Sequence, residues 1–264
     1  MIAAGKIVVD TAVFIRWIKT NDEEFVVEKR RLLRSESGGY TAGEPAVELI
    51  VAVAKERRPL SDVRKKFRDR ATRLKRALAN EQKKYLQIED GAGKRYLIGP
   101  FYVLADELEK ALAHYDWYEK HCSDDIGEPF HYLYWALALY RIGEIKKANL
   151  KLFETMLRNV YLLPILLGSR PDPYDIWHSS NRAQPDYITQ TPAELLPQLS
   201  EQERFWIEEQ FDSFCFRRAR EAYVATYGAL KLESNTDKRR RILGRWNEFW
   251  ASSAKIDGDT CERR

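Results

Sequence analysis

The chain has 264 residues, of which 44% are hydrophobic and 32% charged; this combination excludes wholesale disorder and allows one large or two small packed domains. No apolar run reaches the length of about 18 residues that spans a bilayer, and the N-terminus lacks a signal-peptide pattern, so we expect no membrane segment. The net charge of +4 is mild, so a nucleic-acid surface needs local clustering of basic residues. The three scattered cysteines, Cys122, Cys215 and Cys261, predict free thiols and a cytoplasmic location.

The first predicted elements are a short buried strand at Ile7 to Val9 and a helix that Asp10 or Thr11 caps. A strand followed by Asp-Thr-x-Val-Phe-Ile resembles the first motif of PIN-type metal-dependent nucleases. The resemblance implies that Asp10 and Glu48 are two of several carboxylates around a divalent cation. The remaining acids of such a site do not lie beside further predicted strands. A helix cap at Asp10 and a surface or capping role for Glu48 are the alternative interpretation.

A long helix is predicted from Pro59 to Glu89, with Ser61 as its N-cap. It completes an N-terminal helical region of residues 1–90, which also holds two shorter amphipathic patterns at 22–35 and 44–55. Apolar residues of the long helix recur at intervals of four, seven, four and seven. They predict one buried stripe that contains Val63, Phe67, Leu74, Leu78 and Tyr85.

Basic residues cluster around this stripe. Between Lys55 and Lys84 there are 13 basic and 4 acidic residues. Such a helix is able to follow a phosphate backbone, although no interleaved aromatic residues point to base stacking and no recognition-helix motif is present. The alternatives are a solvated face or docking on an acidic protein surface. The candidate nucleic-acid contacts are Arg64, Lys65, Arg68, Arg73, Lys75 and Arg76.

The glycine-rich break at 91–93 precedes two predicted helical hairpins, at 91–168, which form the only part of the sequence that repeats itself. Three pairs match at a spacing of 37 residues: Gly99 and Ala136, Tyr102 and Leu139, Ala111 and Ala148. The small residues let paired helices approach closely. The space between the hairpins is predicted to be filled by Tyr102, Leu139, Leu108 and Leu152.

The second hairpin resembles the tetratricopeptide repeat (TPR), with small, large, Gly, Ala and large residues at Ala136, Leu139, Gly143, Ala148 and Leu152. The run from Asn159 to Gly168 is similar to the closing element of some TPR-like proteins. The first hairpin departs from the pattern because Asp106 replaces the turn glycine and Pro100 lies inside a helix. The resemblance implies a groove that binds a protein segment, with Arg141 pairing with a carboxylate of the partner. Its groove positions fall at Tyr96, Val103, Leu133, Leu137, Tyr140 and Arg141.

Candidate metal ligands lie between the two predicted hairpins. These ligands, within eighteen residues, are His114, His121, Cys122, Asp124, Asp125 and His131. Their spacing contains neither CxxC nor HExxH, and no Ser or Cys is visibly paired with a His for nucleophilic catalysis. We therefore expect these residues to cap and line the junction, with no metal, cofactor or catalytic residue.

Beyond the hairpins, residues 169–199 carry five of the ten prolines and predict a long loop. Trp177, Tyr174 and Tyr187 are expected to anchor this loop across the hairpins. Residues 200–264 predict a helical cap, in which Ser200 starts a long helix that continues through Tyr227. A second basic run, 238–241, opens the last helix.

The sequence thus predicts a mainly α protein in which TPR-like hairpins are flanked by N- and C-terminal helices, with one short N-terminal strand as an option. The expected function is a non-enzymatic scaffold or adaptor that binds another protein or a peptide segment. A nucleic-acid-associated protein that uses the basic helix 59–89 is the alternative. A PIN-type nuclease with Asp10 and Glu48 as metal ligands is the second alternative.

Overall fold

The computed structural model describes residues 60–85, 90 and 93–253. These residues form ten α-helices and two short 3-10 turns and contain no strand, so the prediction of a mainly α protein is confirmed for them. The predicted strand at 7–9, the two N-terminal helical patterns, Asp10 and Glu48 lie outside the described residues. The helices are α1 Leu60–Tyr85, α2 Lys94–Leu104, α3 Leu108–His121, α4 Pro129–Arg141, α5 Ile145–Arg158, α6 Leu162–Leu166, α7 Tyr187–Gln190, α8 Glu201–Asp212, α9 Phe214–Leu232 and α10 Thr236–Ser253.

Two helix pairs, α2–α3 and α4–α5, follow the spacing of the sequence repeat. Leu108 and Ile145, the first residues of α3 and α5, are 37 residues apart, as are the last residues, His121 and Arg158. The first helices end at Leu104 and Arg141, again 37 residues apart. Several matched positions lie in the core: Tyr102, Leu139, Ala111, Ala148 and Leu152 are buried, and Leu108 is partly buried.

The turns of the two pairs have the same backbone conformation although their residues differ. Asp106 and Gly143 both have a left-handed φ, of 62° and 82°. In each turn the following N–H closes the helix end, from Glu107 to Tyr102 O (2.9 Å) and from Glu144 to Leu139 O (3.0 Å). Asp is among the few residues other than glycine that tolerate this conformation. Asp106 therefore preserves the turn in spite of its departure from the sequence pattern.

The helices α2 and α3 meet closely at Gly99, where the ring of Tyr115 lies on the backbone. A Cβ atom at Gly99 would stand 2.5 Å from Cε1 and from Cζ of Tyr115. At the matched positions of the second pair stand Ala136 and Leu152, both fully buried. The first pair therefore combines the smallest residue with a large ring, and the second combines a methyl group with Leu.

The long helix α1 packs on α2 through the predicted stripe. Phe67 and Leu78 are buried, and the ring of Phe67 lies 5.8 Å from that of Phe101 on α2. Val63 and Leu74 are partly buried at the same contact. Tyr85 is 48% exposed, so the prediction that the stripe extends to it is wrong. The reason is positional, because Tyr85 is the last residue of α1 and lies beyond the packed part.

The segment between α6 and α8 is held by its aromatic residues, as predicted, but not only on the hairpins. The ring of Tyr187 packs beside Phe130 of α4. Trp177 instead stacks on Tyr227 of α9, whose carbonyl oxygen accepts its backbone N–H at 3.0 Å. Asn159, at the end of α5, donates to Arg182 O and Gln184 O at 2.7 and 3.0 Å. The segment is thus bound both to the hairpins and to the C-terminal helices.

The C-terminal part differs from the prediction of one long helix that starts at Ser200. Ser200 does start α8, in a capping box with Glu203. The helix stops at Ser213, however, whose backbone is extended and whose hydroxyl accepts the N–H of Phe216 to start α9. Serine favours such caps because its side chain replaces the backbone partner. Among the cysteines, Cys122 is a free thiol and Cys215 is disulfide-bonded, so the prediction of free thiols is wrong for Cys215.

Candidate functional site

Four of the six predicted groove residues lie in the core. Leu133 and Leu137 are completely buried on α4, and Tyr96 and Val103 on α2 are 5% and 2% exposed. Eleven of the thirteen residues of α4 are buried, so this helix is covered on all sides. Side chains in these positions pack the bundle and offer no surface to a partner while the helices are in place.

The other two groove residues are engaged by the chain itself. The ring of Tyr140 stacks on Trp206 of α8, with centroids 4.3 Å apart. Arg141 Nε donates to Glu203 Oε1 at 2.7 Å. Glu203 is buried and also accepts the backbone N–H of Ser200 in the capping box. The carboxylate that Arg141 was predicted to find on a partner is thus supplied by α8.

Two of the predicted nucleic-acid contacts face the turn between α2 and α3. Arg64 pairs with Asp106 at 3.1 Å, and Arg68 pairs with Glu107 at 2.7 Å. Hydrogen bonding from Lys110 is the main reason why the pKa of Glu107 is lowered, with Arg68 adding to it. These two arginines therefore help to dock α1 on an acidic surface of the same chain. Docking on an acidic protein surface was the alternative to nucleic-acid binding for this helix.

On its other flank, α1 contacts the segment before α8. Glu194, in the 3-10 turn Ala193–Leu195, binds Lys66 through Oε2 at 3.2 Å and Arg70 through Oε1. Hydrogen bonding from Arg70, and then from Lys66, lowers the pKa of Glu194. The sequence does not point to Glu194, because this residue lies 128 positions from Lys66 along the chain. The only signal was the prediction that its loop packs across the hairpins.

The remaining candidate contacts of α1 point to solvent. Lys65, Arg73, Lys75 and Arg76 are exposed, and none of them forms an ion pair with another described residue. With 100° of rotation per residue, Lys65, Arg73 and Arg76 stand opposite the buried Phe67. Lys83 is exposed on the same side. We call Lys65, Arg73, Arg76 and Lys83 the outer cations of α1; two acids, Asp62 and Asp69, share this side.

The second basic run has local partners. Arg239 donates to Leu230 O and Glu233 O at the end of α9, where helix carbonyls lack intrahelical donors. Its guanidinium also lies 4.9 Å from the ring of Trp177. Lys238 and Arg240 pair with Glu233 and Asp237. This run therefore joins α10 to α9.

The metal candidates at the hairpin junction bind backbone and side-chain groups instead of converging. His114 Nε2 contacts Arg95 O at 2.8 Å, and His121 Nδ1 contacts Trp117 O at 2.8 Å. Asp125 accepts from Arg95 Nε at 2.7 Å and from Tyr96 Oη at 2.6 Å. Within the described ranges, no group of three or more His, Cys, Asp or Glu side chains is placed to hold a metal ion.

Burial shifts the titration of three groups at this junction. Burial lowers the pKa of His114 to about 4. Burial, and then the neighbouring His114, hold the pKa of His131 well below its ordinary value. Part of the Glu128 residue reaches solvent, but its carboxyl group is enclosed and accepts the N–H of His131 at 2.7 Å. This enclosure raises the pKa of Glu128 to about 7. The junction is thus a packed core with buried ionisable groups.

None of the described helices has the length and apolar character that crossing a bilayer demands. No family model, curated protein or solved structure matches the chain. The resemblances to TPR proteins and to PIN-type nucleases therefore remain predictions.

Proposed function

We propose that the protein binds nucleic acid through the outer cations of α1. The observation that carries the proposal is their arrangement: four exposed basic side chains stand on the solvent side of one helix without ion-pair partners among the described residues. From Lys65 to Lys83 the helix rises by about 27 Å. This length approaches one turn of a nucleic-acid duplex, about 34 Å. A rigid helix of this kind presents its charges in line along a phosphate backbone.

Binding of this kind gains free energy from released counterions. Each neutralised phosphate frees condensed cations, so the affinity falls as salt is raised. Arg73 and Arg76 add planar guanidinium groups that match phosphate oxygens with two parallel hydrogen bonds. Asp62 and Asp69 repel phosphate on the same side and limit the positions at which the backbone lies on the helix. Contacts to phosphate position a protein without reading the base sequence, so we expect weak sequence preference.

A salt titration with charge-reversed variants tests the proposal. Binding to a labelled duplex of about 30 base pairs is followed by fluorescence anisotropy between about 50 and 200 mM salt. The double variant Lys65→Glu/Arg76→Glu is expected to bind at least about tenfold more weakly at low salt, with a slope of log K against log salt that is shallower by about 2. The proposal fails if the affinity of this variant equals that of its control.

The control is Lys147→Glu/Arg240→Glu, which changes the net charge by the same amount on other helices. Both side chains are well exposed, at 69% and 76%. Among the described residues they form ion pairs only at the start of their own helices, with Glu144 and Asp237. We expect this control to keep most of the affinity of the unmodified protein.

A protein-binding role, at a surface other than the predicted groove, is the second candidate. It is supported by Phe205, which is 67% exposed in the middle of α8. The same side of α8 carries the exposed acids Glu201, Glu208, Glu209 and Asp212, which favours a basic partner with an apolar socket. The Phe205→Ser variant should lose cross-linking to a partner protein. The Phe214→Ser variant, changed at another exposed phenylalanine, should keep it. Equal cross-linking of both variants would sink this candidate.

A further inference from the structure

We infer that Glu194 regulates the nucleic-acid surface of α1 by occupying Lys66 and Arg70 in place of phosphate. The inference rests on the proposed function. Lys66 and Arg70 stand one turn apart on α1, beside the outer cations, and both bind the same carboxylate. A carboxylate held between two cations occupies the position that a phosphate group would take. While Glu194 stays there, both cations are engaged and one of their two positive charges is neutralised.

The position of Glu194 is set by the hairpin core. The next residue, Leu195, accepts a hydrogen bond through its carbonyl oxygen from Tyr134 Oη at 3.0 Å. Tyr134 lies on α4 and is 1% exposed, so its hydroxyl is a rigid anchor. The 3-10 turn Ala193–Leu195 therefore holds the carboxylate of Glu194 over α1. A freely moving acid would neutralise the same cations only part of the time.

The contact is open enough for a competing anion. The side chains of Lys66, Arg70 and Glu194 are 49%, 31% and 35% exposed. Ion pairs at this level of exposure contribute little to stability and are screened by salt. A phosphate backbone that already lies on the outer cations brings several charges at once. It is therefore able to displace one carboxylate, and the acid weakens binding without preventing it.

The test is a gain of affinity. In the anisotropy assay, Glu194→Gln is expected to bind the duplex about tenfold more tightly at about 50 mM salt, with a slope steeper by 1 to 2, because about two more phosphates are contacted. Glu208→Gln on the outer side of α8 is the matched control, since it removes one exposed acid elsewhere. We expect about a twofold gain or less from the control, through net charge alone.

Two further variants separate a local effect from a general one. Lys66→Gln/Arg70→Gln removes two positive charges and leaves the carboxylate of Glu194 unpaired, so it should bind more weakly than the unmodified protein. In its background, Glu194→Gln should gain no more than the control Glu208→Gln, through net charge alone. Tyr134→Phe changes no charge and releases the anchor of Leu195, so we expect an intermediate gain. Thermal unfolding followed by circular dichroism verifies that each variant is folded.

The outcomes distinguish the inference from the proposed function. If Glu194→Gln binds no more tightly than Glu208→Gln, while Lys65→Glu/Arg76→Glu loses affinity, the regulatory role of Glu194 is wrong and the nucleic-acid surface stands. If the unmodified protein binds the duplex no better than the Lys65→Glu/Arg76→Glu variant, both are wrong. A gain in Glu194→Gln that falls to the size of the Glu208→Gln gain on removal of Lys66 and Arg70 supports both.

Discussion

The imidazole of His131 supplies the hydrogen bond that Pro100 cannot donate. α2 continues through Pro100, and a residue at this position would normally donate its N–H to Tyr96 O, four residues earlier. Proline has no N–H, and His131 Nδ1 lies 3.2 Å from that carbonyl oxygen. Since a carbonyl only accepts, Nδ1 carries the proton, which leaves the buried Nε2 without a partner among the described residues. A histidine from the second hairpin thus makes a proline tolerable in the first.

The pairing of His131 with Pro100 predicts a coupling between two substitutions. His131→Phe leaves Tyr96 O buried without a donor, which should lower the free energy of unfolding by about 1 to 3 kcal/mol. In Pro100→Ala, the restored N–H serves Tyr96 O, so the same substitution should cost about 1 kcal/mol less. Urea unfolding of the four proteins of this double-mutant cycle measures the difference. An equal cost in both backgrounds would contradict the proposed replacement.

The close contact of Gly99 with Tyr115 predicts overpacking on enlargement. Gly99→Ala places a methyl group 2.5 Å from ring atoms of Tyr115, and should lower the free energy of unfolding by about 1 to 3 kcal/mol. Adding Tyr115→Leu copies the Ala136 and Leu152 pair and should recover part of the loss. The control is Gly244→Ala in α10, where an added Cβ would meet no atom of another part of the described chain within 4 Å, and it should stabilise the protein by up to about 1 kcal/mol. A stabilising Gly99→Ala would show that the helices are free to separate.

The junction predicts a composite dependence of stability on pH. The folded pKa of His114 is about 4, below its unfolded value, so its contribution is lost as pH falls from about 6.5 towards 4. His131 acts in the same direction. The folded pKa of Glu128 is about 7, above its unfolded value, so its contribution is present in acid and is lost as pH rises from about 4.5 to 7. The two effects oppose each other in this window.

Substitution of Glu128 or of His114 should reveal the pH dependence of stability that the other group causes. Glu128→Gln keeps an acceptor for the N–H of His131 but no longer binds a proton. Its free energy of unfolding should therefore fall more steeply on acidification, by about 1.4 kcal/mol per pH unit between about pH 4.5 and 6.5. His114→Gln should make the fall shallower by a similar amount. Chemical denaturation across this range measures both slopes, and a change of the same sign in the two variants would refute the assignment.

The buried side-chain amide of Asn159 is expected to hold the segment between α6 and α8 on the end of α5. Asn159→Asp turns a carboxylate oxygen towards Arg182 O and Gln184 O, which removes two hydrogen bonds and adds repulsion. Local opening should become easier, and tryptic cleavage after Arg182 should rise by at least about tenfold, equivalent to about 1.4 kcal/mol. Asn181→Asp, exposed in the same loop, is the control and should be cleaved at the rate of the unmodified protein. Equal rates in the two variants would show that Asn159 does not hold the loop.

Local sequence signals predicted the helical class and several features of single helices, because caps and amphipathic patterns depend on short-range chemistry. The 37-residue spacing, Ser200 as a cap and the stripe through Phe67 all follow from the positions of a few residues along the chain. The groove positions depend on tertiary packing, since they require that no other helix covers one side of α4. The sequence of α4 is apolar on every side, and this pattern is typical of a buried helix.

The sequence by itself determined that the described part is helical and that α1 is basic around one apolar stripe. Only the tertiary structure decided which cations of α1 form ion pairs with other described residues. Arg64 and Arg68 meet the turn acids Asp106 and Glu107, whereas Lys66 and Arg70 meet Glu194, 128 and 124 residues away. The physical reason is that an ion pair depends on distance in space. Charge counts along a chain do not contain this distance until the helices have packed.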